Sequence, residues 1–169
     1  DMAIRNLRFE GDPILRKTSK EVKEITPKIV ELVDDMLETM YDACGVGLAA
    51  PQVGVLRRIV VIDVGEGPIV MINPVILETA GSQTGDEGCL SLPGKAGQVT
   101  RPNYVKARAF DENLEEYEIE DEEHFGYWCR PVGAVIRKEV KEKEDAADID
   151  RRRKIHEGSD PSGEKSMEN

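Results

Sequence analysis

The chain has 169 residues, enough for one compact domain with a sizeable core. Its 34 acidic and 23 basic side chains leave a net charge of -11, which argues against nonspecific binding to nucleic acid or an anionic membrane. No apolar run approaches the ~20 residues of a bilayer span, and the opening Asp1-Met2-Ala3-Ile4-Arg5 lacks a signal-peptide apolar region, so a cytoplasmic protein is expected.

Three cysteines, Cys44, Cys89 and Cys129, are an odd number without a secretory signal, and do not read as a disulfide framework. Gly11-Asp12-Pro13-Ile14-Leu15 reads as a turn entering a short apolar element. The next segment, 27–43, predicts a helix capped by Thr26, with Pro27 at its first position. Ile29, Val30, Leu32, Val33, Met36, Leu37, Met40 and Tyr41 recur at helical spacing. Glu31, Asp34, Asp35 and Glu38 are expected on the opposite, solvated face. Cys44 ends this pattern and reads as a small buried hydrophobe.

Strand signals follow. Arg58 to Val64 is a β-branched run, and Ile69 to Ile72 follows the turn residues Gly65-Glu66-Gly67-Pro68. Pro74 is expected to break this hairpin, with a new strand beginning at Val75. Tyr104 to Phe110 alternates Val105, Ala107 and Ala109 against Lys106 and Arg108, and Glu115 to Ile119 alternates again after a turn at 111–113. The fold class expected is α+β, with short antiparallel sheets around a central helix.

The composition changes near residue 120. Nine acidic and no basic side chains fall within 111–123, and residues 137–169 carry 9 basic and 10 acidic ones. Such a segment buries too little surface to offset its ordering entropy. The expected organisation is a single domain over 1–136 and a charged, solvated or disordered tail over 137–169.

Two stretches carry chemistry. Gly45-Val46-Gly47-Leu48-Ala49-Ala50-Pro51-Gln52 joins an extended glycine-bearing edge, able to pair with a peptide by strand addition, to a carboxamide with both a donor and an acceptor. Glu87-Gly88-Cys89-Leu90-Ser91-Leu92-Pro93 offers a thiolate that suits zinc or ferrous iron. Gly88 leaves room for close approach, and the N–H of Leu90 is placed to donate to an oxyanion.

In this order and composition the two stretches resemble signature motifs of the peptide deformylases. The resemblance covers about residues 3–120, including Gly11 to Leu15 and Arg101-Pro102-Asn103-Tyr104. It implies a metal-dependent hydrolase that removes the N-formyl group from the initiator formyl-methionine of nascent peptides and releases formate. It also implies one divalent metal, ferrous iron or a zinc, nickel or cobalt substitute, with Cys89 as a ligand. Gln52 and the Leu90 N–H would stabilise the tetrahedral intermediate. Glu87 would orient the cysteine loop, while Gly45, Val46, Gly47 and Gly88 would line the substrate groove. The partners implied are a formyl-Met peptide and the ribosome, with no nucleic acid and no membrane.

The family's third signature, His-Glu-x-x-His, does not occur in the sequence. The two histidines are His124, preceded by Glu122-Glu123, and His156, followed by Glu157 with Asp160 four positions on. The competing expectation is therefore a catalytically impaired module that binds formyl-Met or Met-headed peptides without turnover.

Overall fold

A computed structural model describes residues 3–89, 91–122 and 135. The expected tail at 137–169 lies outside the described residues.

After an opening segment without regular secondary structure, a short 3-10 turn forms over Pro13–Arg16, where the Asp12 carboxylate accepts the Ile14 N–H. The helix α1 spans Pro27–Asp42. Thr26 caps it, its Oγ1 accepting the Ile29 N–H at 3.3 Å, and Pro27 occupies a position whose N–H would have no helical partner. Leu32, Val33, Met36 and Met40 are buried on one face. Two expectations for this helix are corrected. Asp35 is buried rather than solvated, because the chain N-terminus lies over it and supplies its partners. Val30 and Tyr41 are exposed, because the buried stripe is narrower than the apolar one.

The helix ends in a Schellman turn. The Cys44 N–H donates to the Tyr41 carbonyl and the Gly45 N–H to the Met40 carbonyl. Cys44 takes the left-handed position, with φ 53°. It is exposed there, which corrects the expectation of a buried cysteine.

Among the described residues seven strands follow: β1 Gly47–Ala49, β2 Ile59–Ile62, β3 Ile69–Ala80, β4 Gln83–Cys89, β5 Leu92–Arg101, β6 Tyr104–Phe110 and β7 Glu116–Asp121. A five-stranded antiparallel sheet has the order β1-β2-β3-β6-β7, and β4 pairs with β5 as a separate hairpin. All four residues of β2 are buried. Ile59 and Val61 pack with α1, while Val60 and Ile62 join a second cluster with Met71, Val105, Ala107, Ala109 and Val135. Both faces of the sheet are thus covered at β2, which explains a continuous apolar run in place of alternation.

The expected break at Pro74 does not occur, since β3 continues through it. Asn73 adopts φ 51°, and the register shifts between Ile72 and Val75. This bulge lets the proline pass without losing the strand. The Asn73 side chain stands in for a strand partner, accepting the Val22 N–H and donating to the Val22 carbonyl, both at 2.8 Å.

Candidate active site

The first motif turns from the edge strand β1 into a 3-10 turn over Ala50–Val53. Small buried side chains at Ala49 and Ala50 permit the tight turn, and Gly54 closes it at φ 83°. The turn aims Gln52 back along the strand, where its Oε1 accepts the Ala49 N–H at 3.0 Å. That bond fixes the orientation of the carboxamide: the oxygen must face the backbone donor, so the amide hydrogens face away from it. The Nε2 donates to Ser91 Oγ at 3.1 Å, joining the two motifs across 39 residues of chain. Gln52 therefore offers a donor, not an acceptor, to the space beside the second motif.

β1 lies at one end of its sheet. The Ala49 N–H points away from β2, as its bond to Gln52 shows. Gly47, two residues earlier on the strand, shares that outward direction. The Val46 carbonyl is taken up by the Asp63 N–H at 2.9 Å, and the Gly45 N–H is spent in closing the helix. Of the three groove residues expected in the first motif, Gly47 therefore has its outward backbone placement defined by these bonds. Val46 is itself exposed.

The second motif forms the end of the β4–β5 hairpin. Cys89 is placed by its backbone opposite Leu92, with a register shift between Gly88 and Cys89, while Glu87 pairs with Gly97 and Gly88 with Ala96. Leu90 lies outside the described residues, and so do His124, His156 and Glu157. Ser91 is buried at the corner. Sequence reasoning missed it as a contact of Gln52. Its signal was a polar side chain between Leu90 and Leu92 in an otherwise apolar run. The hairpin itself was also missed, because glycine-rich β4 and β5 lack strand periodicity.

A tyrosine–carboxylate pair and two backbone bonds flank the first motif. Tyr41 donates to Asp63 Oδ2 at 2.7 Å, and this bond pushes the phenol up to about 12 and holds the Asp63 carboxyl below its ordinary value. Within 3–10, Arg8 donates its backbone N–H to the Gln52 carbonyl at 2.7 Å, and Glu10 donates to the Ser91 carbonyl at 2.9 Å. Among the described residues no three His, Cys, Asp or Glu side chains come together to hold a metal ion. The described residues do not by themselves complete a three-ligand site of the kind a catalytic metal requires.

An outward strand edge, an oriented carboxamide donor and a cysteine loop make a site suited to attack on the carbonyl of a bound peptide. Comparison with known proteins agrees. The profile of the family described as polypeptide deformylase matches residues 4–128, and the chain belongs to this family. A peptide deformylase of Agathobacter rectalis is 75% identical over 122 residues, covering 72% of this chain and 77% of its own length. Among solved structures, the peptide deformylase from Thermotoga maritima is 36% identical with a TM-score of 0.76, over 79% of this chain and 92% of its own. That from Synechococcus elongatus, solved in complex with actinonin, is 37% identical with a TM-score of 0.73, over 78% of this chain and 73% of its own. These relatives bear out the α+β deformylase fold. None of them supports the alternative of a binder without turnover.

Proposed function

We propose that Gln52, the Leu90 N–H, Cys89 and the outer edge of β1 form the working site of this chain. The chain is a hydrolase of the peptide deformylase family, acting on formyl-Met peptides to release formate and a free amino terminus. The single observation that carries the assignment of residues is the bond from Gln52 Nε2 to Ser91 Oγ, which brings both motifs to one place. The substrate peptide adds as a strand to β1, pairing with Gly47 while Gly45, Val46 and Gly88 flank it. Its formyl oxygen then lies where the Gln52 amide and the Leu90 N–H donate to the negative charge that develops on attack. These donors are worth most in the transition state, so they raise turnover more than affinity.

The family is metal-dependent. We assign Cys89 as one ligand of a divalent metal, ferrous iron being the ion expected from the family with zinc, nickel or cobalt as substitutes, and Glu87 as the residue that orients the cysteine loop. His156 and Glu157 have the dipeptide order of the missing signature and are the first pair to substitute in a search for further ligands. Residues 1–136 make up the deformylase-like domain and 137–169 a charged tail. The reading extends to a cytoplasmic protein working on peptides emerging from the ribosome. No helix among the described residues is long and apolar enough to cross a membrane.

The test is hydrolysis of formyl-Met-Ala-Ser by the purified 169-residue chain with added ferrous iron or nickel, with bound metal measured on the same sample. Turnover with one metal per chain is the expected result. The absence of both turnover and bound metal would overturn the reading.

A further inference from the structure

We infer that Asp35 on α1 is a positioning residue for Gln52 and for the Ser91 corner, acting through the strap formed by residues 3–10. The consequence for catalysis rests on the deformylase reading above, while the mechanical coupling rests on geometry alone.

The strap has no regular secondary structure of its own and is held by bonds to other elements. At one end the Ala3 N–H donates to Asp35 Oδ1 at 2.8 Å, the Arg5 Nε to Asp35 Oδ2 at 2.8 Å, and the Arg5 N–H to Thr39 Oγ1 at 2.9 Å. At the other end the Arg8 N–H holds the Gln52 carbonyl and the Glu10 N–H holds the Ser91 carbonyl. Arg8 and Glu10 are two residues apart, and their N–H groups bridge the two motif loops. The backbone bridge runs parallel to the Gln52–Ser91 side-chain bond, so the strap and the carboxamide set the same separation.

The middle of the strap is anchored differently. Leu7 packs on the core, but Ile4 and Phe9 are exposed, and a groove of about 360 Å³ lies between the strap and the last turn of α1, lined by Ile4, Asn6, Phe9, Thr39 and Asp42 among others. Continuous apolar packing therefore does not fix the strap, and the polar latch at Asp35 carries that load. The latch is strong for a physical reason: beneath the strap the Asp35 side chain is only 4% exposed, so its charge-assisted bonds from Ala3 and Arg5 are shielded from competing water. Nearer the site, the Arg8 guanidinium lies over Gly54, where a Cβ would come within 3.0 Å of it, and pairs with Asp12 at 3.1 Å. Because α1 packs against β1 and β2, the strap refers both motif loops to one rigid frame. A misplacement of about 1 Å in a catalytic group costs on the order of 10²-fold in rate, so this frame matters to chemistry.

The test uses NMR on the full 15N-labelled chain and needs no turnover, so its outcome is separate from that of the formyl-Met-Ala-Ser assay. Asp35→Ala, Arg5→Ala and Asp35→Asn are compared with Val105→Ala, a core truncation in β6 on the other side of the sheet. The expected result for Asp35→Ala is a shifted Gln52 carboxamide resonance, with amide exchange at Arg8, Glu10 and Ala49 faster by about tenfold relative to Val61 and Met71. Asp35→Asn, which keeps an acceptor for Ala3, should give an intermediate effect. Arg5→Ala should shift the same resonance less, and it serves in place of Asp35→Ala if that variant does not fold. An unmoved Gln52 resonance in the folded variants, or one that Val105→Ala moves equally, would overturn the inference.

Discussion

Cys44 occupies the C-terminal position where helices favour glycine, at φ 53° and exposed to solvent. A side chain in this region costs backbone energy that glycine avoids, so Cys44→Gly should stabilise the chain by roughly 0.5–1 kcal/mol, read from the urea midpoint. Gln52 has the opposite character: its backbone and side chain are both committed, and its amide hydrogens are its chemical asset. Gln52→Ala should lower kcat on formyl-Met-Ala-Ser by about 10²–10³-fold with a smaller change in KM, as for loss of one oxyanion donor. A change confined to KM would mean that the carboxamide serves only in ground-state binding.

At the scale of elements, the bulge in β3 is the place where local chemistry is most exacting. Asn73 combines a left-handed φ with two bonds to Val22, and alanine supplies neither. Asn73→Ala should cost about 2–3 kcal/mol, from two lost hydrogen bonds near 1 kcal/mol each plus strain, checked by denaturant unfolding. The β6–β7 ladder should be far more tolerant. Lys106 lies 3.4 Å from Glu118 and Arg108 lies 3.3 Å from Glu116, as diagonal cross-strand pairs on a solvated face. Such exposed pairs contribute little, and Lys106→Ala should change stability by less than about 1 kcal/mol. Their acidic residues also guard β7, which lies at the other end of the sheet from β1. The sheet thus has a charged edge and an edge with outward backbone groups beside Gln52.

For the whole molecule, pH should weaken the fold at both ends of the scale. Tyr117 is pushed up to about 12, chiefly by burial and further by the nearby Asp111 charge, and its hydroxyl donates to the Val70 carbonyl. A phenol with a raised folded pKa favours the native state below its ordinary value of 10.0, and that contribution disappears as pH rises toward 12. Tyr117→Phe should therefore flatten the alkaline part of the stability profile between those values. Asp35 acts with the opposite sign. Burial raises its carboxyl, but the Ala3 N–H and the Arg5 guanidinium outweigh that and hold it below 3.8. Its stabilisation is present above the ordinary value and is lost as pH falls through the depressed one. Asp35→Asn should remove this part of the acid dependence, measured by thermal unfolding from pH 6 downward.

Local chemistry alone determined the helix at Pro27–Asp42, with its threonine cap and proline start, and the alternating strands β6 and β7. It also identified the family, because Gly45 to Gln52 and Glu87 to Pro93 hold that information in residue order. Other features required the tertiary structure. Asp35 reads as a surface acid because the helical pattern carries no trace of a strap 30 residues upstream. β4 and β5 are held by each other's backbones, and glycine-rich segments announce no face. The direction of the Gln52 carboxamide depends on an N–H three residues before it and a hydroxyl 39 residues after it. Periodicity reports what a segment buries, whereas a donor's aim is set by partners distant in the chain, and only folding brings those together.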